Sequence, residues 1–449
     1  MLLDRYSGEH SSASSPAVGH FETAVLAVAE HRPGAVDALD RALAADPDLI
    51  AAHALGGFAA VLLARPEFDA QIRVSLEAAK AASRRRRATE SERALVVALE
   101  RAANGWLLEA AVQLEARLAS EPHDLLALKL AHTLRFMGGD LPGMLRTTSD
   151  VVAAFDEDVD ASGFVLGCHA FALEEAGCFD EAERFGRQAV EREPHDAWGL
   201  HAVSHVHEMQ GRTKEGIFWL ESTRDRWTGC NNFAGHVAWH LALFCAEAGE
   251  FDRALAIYDH NVRATPSEDF RDVANASSLL WRLGQVGVDV GDRWDDLVEI
   301  ARRRAGETRL LFATLHHLLS LLARGERIEA ARLLAEVMRC AAADDPGQSA
   351  VGREVAVDLA RAMIGVPDAG ETVDLVRTAR ALPRIGGSNA QRDVFVRTLA
   401  MAAANSGDAI AFTQIMMLRR QNRTADKFAQ FAQACRDAAA RRTGRKAYV

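Results

Sequence analysis

The pattern of apolar and polar positions along the chain is typical of helices rather than strands. Long stretches of alternating β-branched residues are absent, and alanine, leucine and arginine dominate. Hydrophobic residues make up 49% of the 449 residues and aromatic residues only 6%. This composition excludes a disordered chain and predicts an all-α fold.

One segment, EAGCFDEAERFGRQAVEREPHDAW, has the small residues and the proline of a tetratricopeptide-type helix pair. Gly177 is followed by Ala182 and Ala189, and Pro194 comes next, at the intervals of such repeats. Small residues at these places let two antiparallel helices touch, and the proline ends the second helix. We number each repeat of about 34 residues so that this proline is position 32.

The same spacing recurs along the chain, and the following repeat starts at Ala197. Glycines occupy position 15, the predicted turn between two helices, at Gly105, Gly177, Gly211, Gly249 and Gly325. Further register positions are taken by Ala35, Ala42, Pro47, Ala110, Pro122, Gly216, Ala254, Pro266 and Ala330. The stretch AMAAANSGDAIAF (400–412) predicts one more helix–glycine–helix corner. Many hits at one spacing predict a repeat array, whereas a single hit would be weak evidence.

The repeats predict a right-handed α-solenoid of tetratricopeptide-like helix pairs, which can close around a central pocket. Residues 1–20, which are rich in serine, are expected to form an N-terminal arm. Residues 21–449 are expected to form a single helical-repeat domain. Its register breaks at 266–300, where the glycine-rich stretch GQVGVDVGDRW has no clean helix–turn–helix pattern.

The register assigns side chains to the concave face, because positions 2, 5, 9 and 12 of each first helix share one side of it. In two adjacent repeats the groove and its edge are formed by Trp198, His201, His205, Glu208, His236, Trp239 and His240. Earlier repeats add Lys129, Phe136, Phe171 and Glu174. His207 is expected to pack toward a neighbouring helix, and His316 and His317 to lie between helices.

The groove histidines form two pairs with a spacing of four residues, His201 with His205 and His236 with His240. Two such pairs on adjacent helices would supply up to four nitrogen ligands, so these residues are candidate ligands of a divalent transition metal. The alternative is acid–base catalysis, for which the candidates are His201, His205, Glu208 and His236. A groove that binds a ligand without any catalysis also fits these residue types.

Two further stretches carry polar residues outside the regular repeats. Asp292 and Arg293 could form a lid or wall over the groove, although an Asp–Arg pair that caps helices is the more frequent arrangement. GGSNAQRDVF predicts a helix start with Ser388 as N-cap, and its Gln391, Arg392 and Asp393 could reach a ligand if the superhelix closes.

The net charge of −11 gives no global bias toward nucleic acid or an anionic membrane. The basic run 84–87 is typical of a solvated helix end, since it precedes a capping box that begins at Thr89. No apolar run approaches 18 residues, so no membrane span is predicted. The sequence has no Walker-type, dinucleotide-binding or GxSxG motif.

The six cysteines lie far apart and none forms a CxxC motif. This spacing predicts neither a disulfide framework nor a zinc knuckle, and it favours a reducing compartment. The N-terminal residues contain no apolar segment of the signal-peptide type. We therefore expect a cytoplasmic protein.

Several stretches resemble the tetratricopeptide repeat protein 38 family: ALKLAHTLRFMGGD, HAVSHVHEMQGRTKEGIFWL, CNNFAGHVAWHLALF, YDHNV, SSLLWRLGQVGVDVGDRW and GGSNAQRDVF. They span roughly 127–395 in the family's order, and several are not general repeat consensus. The resemblance implies a compact helical-repeat protein with a common pocket around His201, His205, His236 and His240, but no particular reaction. The sequence departs from relatives at Ala238, where a second aromatic residue is frequent.

The sequence thus predicts a protein that binds a small molecule or peptide in its groove, with indoles stacking on the ligand and imidazoles hydrogen-bonding it. The expected ligand-binding residues are Trp198, His201, His205, Glu208, His236, Trp239, His240, Asp292 and Arg293. An enzyme that uses the same pocket, such as a metal-dependent hydrolase or oxygenase, and a protein–protein scaffold are the alternatives. No nucleic acid or membrane partner is expected, and a homo-oligomer is compatible with the sequence.

Overall fold

A computed structural model describes residues 1–154, 161–344, 347–365, 373–424 and 426–446. The fold is an all-α helical repeat, as the sequence predicts. A two-stranded antiparallel hairpin, β1 (Leu2–Leu3) and β2 (Glu9–His10), precedes the helices. Among the described residues, no helix is both long and apolar enough to cross a bilayer.

The helices follow one another with short connections. Those of the first half are α1 (Ser15–Ala29), α2 (Ala35–Ala45), α3 (Ile50–Val61), α4 (Asp69–Arg85), α5 (Glu90–Ala103), α6 (Leu107–Ser120), α7 (Leu125–Met137), α8 (Leu141–Ala154), α9 (Ser162–Glu175), α10 (Phe179–Arg192), α11 (Ala197–Met209), α12 (Thr213–Ser222) and α13 (Arg224–Trp227). Those of the second half are α14 (Phe233–Ala248), α15 (Phe251–Ile257), α16 (Phe270–Gln285), α17 (Asp295–Arg303), α18 (Leu311–Ala323), α19 (Arg327–Ala342), α20 (Gln348–Val351), α21 (Val357–Ile364), α22 (Leu375–Ala381), α23 (Asn389–Ser406), α24 (Ala409–Asn422) and α25 (Lys427–Lys446). Short 3₁₀ or π segments lie at Pro66–Phe68, Tyr258–Val262, Gly352–Ala356 and Leu382–Ile385.

The predicted corners are confirmed. The five glycines at position 15 each lie between two helices, with φ between 69° and 87°. Only glycine adopts this left-handed conformation without strain, which explains its recurrence. At Gly177 the turn closes with two backbone hydrogen bonds, from Gly177 N to Glu174 O and from Cys178 N to Leu173 O, both 2.9 Å. Gly407, in the last predicted corner, has φ 78° between α23 and α24.

Two predicted helix starts are also confirmed. Before α5, the Thr89 hydroxyl accepts from Glu92 N at 3.2 Å and the Glu92 carboxylate accepts from Thr89 N at 2.9 Å. Before α23, Ser388 and Gln391 form the same reciprocal pair at 3.1 and 3.0 Å. Each pair satisfies backbone donors that the first helical turn leaves open.

The N-terminal residues, expected to form an arm, are packed against helices. Tyr6, His10 and Ser12 are buried, and α1 already begins at Ser15. The Asp4 carboxylate accepts from the backbone N–H groups of Tyr6 and Gly8 at 2.9 and 2.8 Å. These bonds fold residues 4–8 into a turn and join β1 to β2.

The chain forms two compact units, and the division predicted from the sequence, an arm and one domain from residue 21, stays a prediction. The first unit comprises residues 1–206 and 223–234, and the second comprises 207–222 and 235–449. The predicted register break at 266–300 lies inside the second unit. There α16 and α17 are separated by the connection 286–294, which is longer than the glycine corners.

Each unit buries the apolar faces of its own helices. The core of the first unit contains Phe21, Phe58, Leu99, Leu114 and Phe164. In the second unit, leucines of α16, α18, α19 and α23 are fully buried. No single helix pair could bury these side chains alone, so packing of successive helices supplies the stability.

Gly216, one of the small residues predicted by the repeat register, has no room for a larger side chain. It starts the second turn of α12, and a Cβ at this residue would lie 2.3 Å from the ring of Phe244 in α14. We expect Gly216→Ala to lower the free energy of unfolding by about 1–3 kcal/mol, because the ring must move. The measurement is equilibrium urea unfolding of the full chain.

Gly284→Ala is the matched control for this substitution. Gly284 lies in α16, and an added Cβ would meet no atom within 4 Å. Alanine should therefore be neutral or stabilising there, by up to about 1 kcal/mol. Equal effects of the two substitutions would contradict the close-contact explanation.

Candidate functional sites

In the first unit, the predicted groove positions of α7, α9 and α11 do share one face. The ring centroids of Phe171 and Trp198 are 4.7 Å apart, and those of Phe136 and Phe171 are 5.6 Å apart. The Lys129 ammonium lies 5.8 Å from the Trp198 ring centroid. This face is a packed aromatic cluster with one buried cation beside it.

The backbones of α9 and α11 approach closely at two glycines. A Cβ at Gly199 would lie 3.2 Å from the Cα of Gly167. Asp196 caps the N-terminus of α11: its side-chain Oδ2 accepts a hydrogen bond from Gly199 N at 3.1 Å. The close approach brings the side chains of the two helices within contact distance about two turns further along.

That contact joins two of the three histidines of α11 to two carboxylates of α9. His205 Nδ1 lies 3.2 Å from Glu174 Oε2 and 3.9 Å from Glu175 Oε1. His205 Nε2 lies 2.8 Å from His201 Nε2. All four side chains are buried, and the Phe171 ring stacks on His201. We call these four residues the His–Glu cluster.

Burial shifts the pKa values of other ionisable groups of the first unit in the direction that favours their neutral forms. Burial, with Lys129 nearby, lowers the pKa of His132 to about 3, and its Nε2 accepts from the Trp198 indole at 3.2 Å. Burial raises the pKa of Asp196 to about 7 and that of the Cys168 thiol to about 11. A thiol with this pKa is not a nucleophile at neutral pH.

In the second unit, Glu208 at the end of α11 is buried between two partners. Its Oε2 accepts from His240 Nδ1 at 2.9 Å, and its Oε1 accepts from Arg423 Nη1 at 2.8 Å. Burial acts to raise the pKa of Glu208, but Arg423 and His240 outweigh it and hold the pKa far below the usual range. The carboxylate is therefore ionised, and His240 must carry its proton on Nδ1.

The remaining predicted residues of α14 surround this pair. His236 Nδ1 lies 3.0 Å from Asn275 Oδ1 of α16, and the His236 ring stacks on Trp239. The guanidinium carbon of Arg282 lies 5.3 Å from the Trp239 ring centroid. This distance is typical of a cation–π contact in a buried place.

An ion-pair network continues from Glu208 through α23 and α24. Arg419 donates to Asp393 at 2.6 and 3.1 Å and to Asp426 at 2.9 Å. Arg397 donates to Asp393 at 2.7 Å, and Arg423 donates to Asp426 at 3.1 Å. Despite burial, the arginines hold the pKa values of Asp393 and Asp426 far below the usual range.

A cavity of about 200 Å³ opens beside this network, within the second unit. Its lining residues are Glu208, Leu243, Ala246, Glu247, Phe251, Arg282, Leu283, Val286, Arg397, Arg423, Lys427, Phe428 and Phe431. The wall thus combines an apolar, partly aromatic surface with four cationic and two acidic side chains. We call this space the arginine cavity.

Of the predicted ligand-binding residues, Glu208 lines the arginine cavity. The metal set predicted from the sequence takes His201 and His205 from the first unit and His236 and His240 from the second, and it stays a prediction. Solvent exposure does not distinguish His207 from the predicted groove histidines, since His201, His205 and His207 are all at most 1% exposed.

Asp292 and Arg293 lie in the connection before α17. Asp292 is exposed, and Arg293 donates to the carboxylate of Asp259 at 2.8 and 2.6 Å. The partner of Arg293 is thus a residue of the π segment Tyr258–Val262. His316 and His317, expected between helices, are buried in α18, and burial lowers their pKa values to about 3 and about 4.

Sequence reasoning missed several residues of these sites. Glu175 lies one position beyond the predicted groove stripe, and Arg397, Arg419 and Arg423 lie outside every predicted site. The spacing of four residues between Arg419 and Arg423 at the end of α24 was the available signal. Their partners are far away in the sequence: Glu208 and Arg423 are 215 residues apart.

A search against models of known protein families finds no match to this chain.

Proposed function

We propose that this helical-repeat protein binds a small organic anion in the arginine cavity of its second unit. The ligand would place its anionic group against Arg282 and its apolar part against the phenylalanines of the wall. The proposal keeps the small-molecule role expected from the sequence and includes Glu208 as a wall residue.

The main support for the proposal is the burial, hydrogen bonding and charge of Arg282. Its side chain is 5% exposed, and its Nη2 donates to Ala390 O at 2.6 Å. Its Nε and Nη1 have no hydrogen-bond partner among the described residues. Burial and the nearby Arg397 lower the pKa of Arg282 to about 9, so the group is still charged at pH 7. A buried cation with open donors is costly unless an anion pairs with it.

The charge of the surrounding network supports the same conclusion. Four guanidinium groups, of Arg282, Arg397, Arg419 and Arg423, face three carboxylates, of Glu208, Asp393 and Asp426. Arg282 is the outlying cation, with its Nη2 3.9 Å from Asp393. The described network has one positive charge in excess, which a monoanionic ligand would neutralise.

The cavity also restricts the size and type of ligand. A volume of about 200 Å³ lies below the usual range for drug-sized ligands, so a small molecule fits better than a peptide segment. Phe251, Phe428 and Phe431 supply apolar ring surface to the same cavity. A monocarboxylate with a short aliphatic or aromatic body combines the two requirements.

Isothermal titration calorimetry with matched ligands tests the proposal. Hexanoate and phenylacetate should bind at least tenfold more tightly than hexanamide and phenylacetamide, which have the same bodies without the charge. Arg282→Met should weaken carboxylate binding by about 10–100-fold, since hydrogen bonds to charged groups are worth about 1.5–3 kcal/mol.

Arg302→Met is the control, because Arg302 is an exposed arginine of the same unit that pairs with Glu326. It should bind as the wild type does. Equal binding of acids and amides, or full binding by Arg282→Met, would refute the proposed site. Chemical conversion of a bound acid, followed by chromatography, would instead favour the enzyme alternative.

We also propose that the helix pairs are tetratricopeptide-like and that the chain is related to the tetratricopeptide repeat protein 38 family. The left-handed glycines at position 15 support the first point. The quoted stretches between about 127 and 395 support the second. A cytoplasmic location is proposed on the cysteine spacing and on the buried, protonated thiols of Cys168 and Cys245.

A further inference from the structure

We propose that Glu174, Glu175 and His205 of the His–Glu cluster bind a divalent first-row transition metal in the first unit. This site is independent of the arginine cavity. It uses Glu174 and Glu175, which are not among the metal ligands predicted from the sequence.

The ligand atoms have the separation that a metal requires. One oxygen of each carboxylate and one imidazole nitrogen of His205 all lie within 4.8 Å of one another. His205 Nδ1 is 3.2 Å from Glu174 Oε2 and 3.9 Å from Glu175 Oε1. Metal–ligand bonds of about 2.0–2.2 Å place neighbouring ligand atoms roughly 3–4 Å apart, and both separations from His205 Nδ1 fall in this range.

The chemistry of the donors selects the class of metal. Two carboxylates and one imidazole combine hard oxygen donors with a borderline nitrogen donor. Mn²⁺, Fe²⁺ and Zn²⁺ accept such a set, whereas sites rich in thiolate favour softer ions. Full burial strengthens the interaction, because no bulk water competes for the ion.

The position of the two glutamates at the end of α9 favours a bound cation. Glu174 and Glu175 are the last two residues of this helix, where the helix dipole presents its negative end. A dication there gains from the dipole as well as from the two carboxylates.

His201 acts as a positioning residue for His205. Its Nε2 lies 2.8 Å from His205 Nε2, so one of the two nitrogens carries the proton. When His205 donates from Nε2, its Nδ1 lone pair faces the two carboxylates, which is the tautomer that a metal needs. The Phe171 ring contacts both imidazoles and limits their rotation.

Metal analysis of the full chain, purified without a histidine tag, tests the site. The protein is treated with EDTA, loaded separately with Mn²⁺ or Zn²⁺, desalted and analysed by mass spectrometry of the elements. The wild type should retain one equivalent of at least one of these ions per chain. Glu175→Gln, which keeps the side-chain volume, should weaken metal binding by at least tenfold.

Glu181→Gln is the matched control, because Glu181 is exposed at the start of α10. It should retain the metal as the wild type does. Circular dichroism verifies that the Glu175 variant folds. His201→Gln should weaken Mn²⁺ binding by about tenfold and alter the visible spectrum of the Co²⁺-loaded protein without abolishing it.

Two results would overturn the proposal. In the first, the wild type retains neither ion. In the second, Glu175→Gln binds metal as tightly as the wild type while His236→Ala loses it, which would favour the four-histidine set predicted from the sequence.

Discussion

Asp393→Ala is expected to lower the free energy of unfolding of this protein by about 3–5 kcal/mol. The Asp393 carboxylate accepts hydrogen bonds from Arg419 and Arg397, and Arg423 and Arg282 lie 4.0 and 3.9 Å away. Its removal leaves these cations buried with only Asp426 and Glu208 to balance them. Equilibrium urea unfolding followed by circular dichroism measures the change.

Asp295→Ala provides the comparison on the surface of the same unit. Asp295 pairs with Arg324, and its side chain is 67% exposed. Such exposed pairs contribute about 0–1 kcal/mol, because water screens the charges. If Asp393→Ala costs no more than Asp295→Ala, the buried network does not stabilise the fold in the way its geometry indicates.

Acidification is expected to destabilise the protein already at pH values well above the pKa of ordinary carboxylates. His316 and His317 are neutral in the folded chain, with pKa values that burial lowers to about 3 and about 4 from the ordinary 6.5. Between about pH 6.5 and pH 4 the unfolded chain binds protons on these histidines and the folded chain does not. Their stabilising contribution is complete above pH 6.5 and is lost as the pH falls.

The size of this effect follows from the linkage between protonation and folding. Each such histidine contributes about 1.4 kcal/mol per pH unit, so the pair contributes about 3 kcal/mol per pH unit in this range. Urea unfolding at pH 6, 5.5 and 5 measures the slope. His317→Gln should reduce it by about 1.4 kcal/mol per pH unit.

His260→Gln serves as the control, since His260 is exposed. It should leave the slope unchanged. A stability that is constant between pH 7 and pH 5 would contradict neutral burial of His316 and His317.

The candidate sites divide according to how far apart their residues lie in the sequence. His201 and His205 are one helical turn apart, so the spacing of four residues predicted their shared side of α11, and their Nε2 atoms are in contact. The stripe of Phe136, Phe171 and Trp198 followed in the same way from the repeat register. Burial was not predictable from this periodicity, because His207 is as buried as His201.

The arginine network could not be anticipated in this way. Arg423 pairs with Glu208 across 215 residues, and Arg419 with Asp393 across 26. Nothing in the local sequence of either partner indicates the other. The contact exists because α23, α24 and the end of α11 pack against one another within the second unit.

The helices, their glycine corners and their caps could therefore be predicted from the amino-acid sequence, because they depend on local backbone chemistry. A left-handed turn needs glycine at Gly177 or Gly211, and an N-cap needs a side chain such as that of Thr89 or Ser388, whatever surrounds them. Which charges are buried together, and where the arginine cavity opens, depended on long-range packing. Such packing sets the solvent exposure and the partners of Arg282 and Glu175, and no short-range pattern encodes either.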